Sequence, residues 1–306
     1  MVVIMDLEKY SEKLNQWAEQ ELKTVEGSIR DYYRQLVNKV LGELGKIYAD
    51  YEDDGILTYE NMIKYDRLKK FIDSLMEHVD TMSIETMNSI NAYLAESYIY
   101  SYSWMGWAIE KVARKSLQYT SLKVEQIRAA LDNPVNGLTL SETLEKNRRD
   151  IIYKIKQNVT QSLVRGSTYK DMASSLKDTF EGDYVKAVRV VRTESHRVRE
   201  QGSLDSAKRA NDKGVIMLKK WRNMKDIRVR KTPKANHVKL DKKQIPVNDM
   251  FDLGNGEKGI APGNTGYAHH DINCRCILVY EIADVVGRTN DELAEQTYED
   301  FREAMG

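Results

Sequence analysis

Cysteine is almost missing from this 306-residue chain: Cys274 and Cys276 are its two copies, and one residue separates them. A disulfide framework needs several pairs, and alternate positions rarely satisfy disulfide geometry, so synthesis in a reducing cytoplasm is expected. Proline is scarce too, with four copies of which Pro134 is the first, which leaves the first 133 residues free of that helix breaker. No apolar run approaches the roughly 20 residues of a membrane span, and the start, Met1 to Asp6, is too short an apolar run for a signal peptide. Neither an integral protein nor one exported by that route is expected. With 41% hydrophobic and 31% charged residues the chain is globular rather than disordered, and its length suits about two domains.

Charge is balanced in total and uneven in place. The 47 basic residues match the 47 acidic ones, yet the segment from Lys186 to Lys243 holds 19 Lys and Arg against 6 Asp and Glu. Such a block points to a polyanion, because phosphate neutralisation supplies most nucleic-acid affinity; a solvated basic face or an interface with an acidic protein is the alternative.

Apolar spacing in the first half is helical. Leu14, Trp17, Leu22, Val25, Ile29, Tyr33, Leu36, Val40, Leu44 and Ile47 recur at steps of mostly three or four, and the polar run Asp50 to Gly55 ends that helix. Further helical stretches run from Tyr59 to Val79 and from Ile84 to about Trp107, predicting several antiparallel helices. Six Tyr and Trp residues between Tyr93 and Trp107 are either core or an exposed anchor for a protein partner. Base stacking is disfavoured there, since no Lys or Arg is interleaved.

Asp132 to Gly137 reads as a turn, followed by a helix through Ile151, Ile155 and Leu163 that Gly166 closes. A capped helix from Thr168 to Phe180 and another from about Asp183 to Asp212 are expected next. Beyond Gly214 the texture changes to loops and short strands, with Val215 to Leu218 and Ile277 to Ile282 as strand candidates, and Asp291 to Met305 as a helix or mobile tail. The expected class is α+β, mainly α: a helical domain over 1–137, a smaller α+β module with a short antiparallel sheet over 138–282, and an acidic end over 283–306.

Chemistry-bearing residues are sparse. Arg189, Arg192, His196 and Arg199 fall on one helix face and could track phosphates or accept carboxylates; Arg192 and Glu194 equally suit a structural ion pair. Arg189, Arg192, Arg197, Arg199, Lys208, Arg209, Lys219, Lys220, Arg222, Arg228 and Arg230 form the candidate DNA-contacting set. Cys274 and Cys276 with His237, His269 and His270 are zinc-ligand types, His237, His270, Cys274 and Cys276 being the candidate set, but the spacing is not that of a structural zinc site, and buried reduced thiols suit it better; no cofactor is expected beyond that zinc option. His-Asn-His nuclease chemistry would need a histidine after Asn273, and His270 is the last one. A Cys274–His237 hydrolase lacks a Gly-rich oxyanion segment, and Gly254 to Gly259 spells a dinucleotide fingerprint without strand and helix around it and reads as loop. ADP-ribosyl transfer lacks a downstream Glu-x-Glu. No enzyme is expected.

The order Gly166-Ser-Thr, Arg192-Thr-Glu194, Trp221, Asp226-x-Arg228-x-Arg230, His237-x-x-Leu240-Asp241, Pro262-Gly263 and Asn273-Cys274-Arg275-Cys276 resembles the head morphogenesis family of tailed phages, the phage Mu F-like minor head proteins. The resemblance spans about Leu138 to Tyr280. It implies a minor capsid protein at the portal vertex inside the virion, made in the host cytoplasm, acting in head assembly and in genome packaging or delivery. Implied partners are the portal protein, scaffold or major capsid protein, and double-stranded DNA contacted without sequence preference, since no groove-reading motif occurs. An injected effector using Arg192, Glu194 and His237, and a portal adaptor without DNA contact, are the rival readings. Two departures stand out: the stretch Lys231 to Asn236 is longer than in the family, and Lys242 replaces a family Gly, altering a turn.

Overall fold

The computed structural model describes residues 5–133 and 137–306, so the middle of the turn expected at 132–137 lies outside the described residues. In chain order the elements are β1 (Met5–Asp6), α1 (Glu8–Tyr51), α2 (Tyr59–Ile63), α3 (Arg67–Ala113), α4 (Val124–Asp132), α5 (Leu140–Arg165), α6 (Tyr169–Asp212), β2 (Val215–Arg222), β3 (Gln244–Pro246), β4 (Phe251–Gly254), β5 (Glu257–Gly259), α7 (Ala268–Asp271), β6 (Ile277–Val285) and α8 (Tyr298–Met305). The class is mainly α with short antiparallel sheets, as the sequence predicts.

Helices merge where the sequence suggests breaks. The stretches ending at Val79 and beginning at Ile84 are one 47-residue helix, α3, because Asp80 to Ser83 contain neither Gly nor Pro. Likewise α6 runs 44 residues straight through Gly182, whose isolated cost of about 1 kcal/mol is too small to end a helix packed on both sides of it. Gly166 does end α5, in the left-handed region at φ +64°.

Two compact units are present: Met1–Lys23, Ala92–Leu140 and Arg192–Gly306 make one, and Thr24–Asn91 with Ser141–Val191 the other. Both draw on α1, α3 and α6, so compactness does not follow the 137/138 line expected from composition. The second unit is purely helical apart from short turns. Val25, Ile29, Leu36 and Val40 of α1, Leu75 and Val79 of α3, Ile155 and Val159 of α5, and Leu176 and Phe180 of α6 are buried, each set at helical spacing. Tyr33 Oη donates to Asp183 at 2.6 Å, and Arg148 bridges Asp80 and Glu145.

The first unit carries the sheet, in order β1-β6-β2-β3, with every pair antiparallel. Strand β6 is buried on both faces along Ile277 to Ile282, whereas β2 alternates, placing Val215, Met217, Lys219 and Trp221 inward. Gly254 to Gly259, read as loop from sequence, is a hairpin instead: Asn255 and Gly256 both take positive φ, the two-residue turn that Asn-Gly favours.

The aromatic cluster of α3 is core. Trp17 stacks on Tyr100 at 3.8 Å, while Trp104 and Trp107 pack against Tyr10 and against Tyr298 of α8. The indole N–H groups donate to the Tyr10 and Gln296 carbonyls. The acidic end is therefore a docked helix, with Phe301 buried in the same core.

Candidate functional site in the motif-bearing module

Helix α6 enters the first unit at Arg192, and from Thr193 to Glu200 every residue is buried. Buried charge must be paired, and here it is. Arg197, 1% exposed, bonds Glu194 at 2.8 Å and donates to the carbonyls of Ala130 and Leu131, completing α4's C-terminal end. Burial raises the Glu194 carboxyl above its ordinary range, opposed by Arg197. Arg199 is held by Glu200 and by Asn15 of α1, and the second oxygen of Glu200 accepts from the Leu278 N–H of β6. Glu194 is thus paired with Arg197.

The turn before β6 is built by the remaining motif residues. Asn273 takes φ +57° and its N–H donates to Thr193 Oγ1. Arg230 donates to the carbonyls of His270 and Ile272. Arg275 grips both carboxylate oxygens of Asp226, at 2.6 and 2.7 Å, and this pairing holds that carboxyl down at about 2. Asp271 accepts from the N–H and hydroxyl of Thr265 and from the Gly266 N–H. Gly263 lies so close to His196 that a Cβ would collide with the ring, so glycine is required there by space as well as by its φ of +73°. Lys242 occupies the left-handed region at φ +65°, so the turn keeps the shape a glycine would give and carries a lysine in it.

Inside this frame lie the two cysteines. Cys274 and Cys276 are buried and unpaired by disulfide, and His237 Nδ1 stands 3.7 Å from the first Sγ and 3.4 Å from the second. His237 is 1% exposed, edge-on to buried Trp221, and its ring lies parallel to that of His270. Its Nε2 meets His270 Nδ1 at 3.0 Å, and His270 Nε2 meets Glu257 at 3.1 Å. Burial, with the neighbouring His237, lowers the His270 pKa. Burial works to raise the Cys274 thiol, but its contacts with Cys276 and His237 bring it below its usual value, while the bond to Cys274 and burial push Cys276 up. The structure thus brings His237, Cys274 and Cys276 together and sets His270 behind His237, outside the sulfur-facing side.

The candidate DNA contacts divide sharply. Arg197, Arg199 and Lys219 are sealed inside the fold and cannot reach a phosphate, a correction to the sequence assignment. Lys219 donates to the Ile260 carbonyl over the Phe251 ring, and burial, aided by Lys208's charge, brings its pKa down to about 7. Lys220 pairs with Glu281, Arg222 with Glu8 and Glu12, Arg209 with the Gln118 carbonyl, and Arg230 with the two carbonyls above. Lys208 is partly exposed; Arg189, Arg192 and Arg228 are exposed.

Sequence reasoning missed the other exposed cations of the same block. Lys225, Lys231, Lys234, Lys239, Lys242 and Lys243 all lie on the surface of the long connection between β2 and β3, with Asp226 and Asp241 as its acidic residues. The signal was available in Lys231-Thr-Pro-Lys-Ala-Asn236, whose composition marks loop, where a lysine has no helix or sheet to be packed into.

Comparison with known proteins adds a lineage to this geometry. The family described as Phage Mu protein F like protein matches residues 153–279. Minor head protein GP7 of Bacillus phage SPP1 is 31% identical over 90% of this chain and 86% of its own length. The NAD(+)--arginine ADP-ribosyltransferase EFV of Enterococcus faecalis is 25% identical over 91% of this chain, a match that spans 55% of that protein. An uncharacterised protein of Haemophilus influenzae is 28% identical over 47% of this chain. No solved structure matches.

Proposed function

The chain belongs to the phage Mu F-like minor head protein family, and from that premise we propose that it sits at the portal vertex inside the head and holds packaged DNA without sequence preference. The observation that carries the DNA contact is the β2–β3 connection, where Lys225, Arg228, Lys231, Lys234, Lys239, Lys242 and Lys243 are all exposed within nineteen residues. Phosphate binding needs solvent-facing cations on a path, and this loop supplies them where the buried helix does not.

Assembly with the portal is assigned to the helical unit, which has a groove of about 370 Å³ lined by Ile84, Met87 and Leu144 and rimmed by Asp80, Glu145 and Arg148. Scaffold and major capsid protein are the further partners of the proposal. The role is structural rather than catalytic: Glu194 is tied to Arg197, and His237 is buried against both thiols, which leaves neither free to meet a substrate. The transferase activity in one relative's name is read as that protein's own, since the shared segment is about half of it.

The test is affinity for a random-sequence duplex across a salt series. Changing Lys231, Lys234, Lys239 and Lys242 to Ala is expected to flatten the slope of log K against log salt by roughly 2 to 3.5, at about 0.9 per lost phosphate contact. Absence of binding even at low salt would sink the DNA contact and leave a portal adaptor.

A further inference from the structure

We propose that His237, Cys274 and Cys276 hold a thiophilic divalent cation, with zinc the best fit, and that His270 and Glu257 orient the histidine ligand. The three donor atoms lie within 4.8 Å of one another and all three residues are buried. Bonds of about 2.3 Å to sulfur and 2.0 Å to nitrogen, opened to the tetrahedral angle, put S and N donors roughly 3.5 Å apart. The two Sγ to Nδ1 distances are 3.4 and 3.7 Å, on either side of that value. Two sulfurs and an imidazole select zinc over magnesium, calcium or manganese, and three protein donors leave the fourth position to water.

A second observation is independent of those distances. A carboxylate only accepts hydrogen bonds, so Glu257 fixes the proton of a neutral His270 on Nε2. His270 Nδ1 then has only a lone pair and must accept from His237 Nε2–H. One proton per neutral ring leaves His237 Nδ1 bare, and Nδ1 is the atom that faces the sulfurs. This carboxylate–histidine–histidine chain is the outer-sphere arrangement that orients metal-binding histidines and sets their tautomer. Sequence spacing could not show it, because a Cys-x-Cys pair completed by a histidine 37 residues earlier follows no standard zinc pattern.

The ion would fasten the β2–β3 connection, through His237, to the turn that opens β6. The measurement is metal content of the full-length, untagged protein purified without chelator, followed by cobalt(II) replacement. One zinc per chain is expected, and cobalt is expected to give a thiolate charge-transfer band with strong visible bands of tetrahedral type. Cys274→Ser, Cys276→Ser and His237→Ala should each abolish the charge-transfer band or the tetrahedral signature; His270→Ala should keep the ion with roughly 10- to 100-fold weaker affinity. His269→Ala should change nothing, although His269 joins Glu257 and His270 in a second, partly exposed cluster.

Should the cysteine variants fail to fold, the wild type still decides: chelation should lower its melting temperature by about 5 °C or more, and zinc should restore it. A folded, reduced wild type with no zinc, no cobalt band and a melting temperature indifferent to chelator would overturn the proposal. So would zinc that survives Cys274→Ser and is lost with His269→Ala.

Discussion

The basic block of this protein contains two regions that are alike in composition and opposite in fate. Between Thr193 and Glu200, Arg197 and Arg199 are buried, each with a carboxylate beside it and further acceptors around its guanidinium. Between Lys225 and Lys243, seven cations face solvent and two acids stand near them. The first region spends its charge on holding a helix against β6, α1 and the end of α4; the second leaves its charge available. Charge density along a sequence therefore locates a site only after burial has been subtracted. The arginines, whose planar fork suits buried pairing, went inward, and the lysines of the loop stayed out.

The largest break in this comparison should come from Arg197→Met. Glu194 would be left buried and unpaired with two carbonyls, and a loss of about 3 to 5 kcal/mol is expected in chemical denaturation. Pairing it with Glu194→Gln should recover part of that loss, and no recovery would mean that Arg197 acts through the carbonyls of α4 alone. The four-lysine loop variant, by contrast, should unfold within about 0.5 kcal/mol of wild type.

Lys219 sharpens the contrast through pH. Its pKa is about 7 in the fold against 10.5 when free, so between those values the unfolded chain binds more protons and stability rises with pH. The cost of burying the ammonium is present in full below pH 7 and gone above about 10.5. Lys219→Met should therefore be more stable than wild type near pH 6, by on the order of 2 kcal/mol, with the advantage fading toward pH 10. An advantage that does not change with pH would show that Lys219 binds its proton equally in the folded and unfolded chain, with no lowering by burial.

The smallest effect concerns Lys242, which holds φ +65° on the exposed loop. Lys242→Gly should stabilise by about 0.5 to 1 kcal/mol in thermal unfolding while removing one phosphate contact from the salt slope. A destabilised variant would mean that the lysine side chain has packing value at that turn.

Much of the fold was legible from spacing. The periodicities of Leu14 to Ile47 and of Ile151 to Leu163 fall inside α1 and α5 and reach to within about a turn of their C-terminal ends, and Gly166 ends α5 where its freedom is needed. Failures had physical causes. A helix segment buried all round, as α6 is from Thr193 to Glu200, shows no polar face, and its Arg and Glu residues look the same on paper whether solvated or paired. Asn255-Gly256 was a readable hairpin signal obscured by a motif that happened to overlap it. The site was half legible: Cys274, Cys276 and His237 were identifiable as donors, but only the fold could set His270 behind His237 and reveal that Glu257 belongs to the same chain of bonds.

Strand β1 has a consequence for how the molecule is made. Met5 and Asp6 pair with Ile282 and Glu281, and buried Leu7 donates to the Tyr280 carbonyl. On a ribosome moving at about 5 to 20 residues per second, that first strand waits roughly 15 to 55 s for its partner to be synthesised. Helices can form in the interval, but the sheet cannot close around β1 until β6 has been made. A sheet laid out this way keeps β1 and Leu7 without their partners until β6 exists, so it is completed in one step rather than strand by strand.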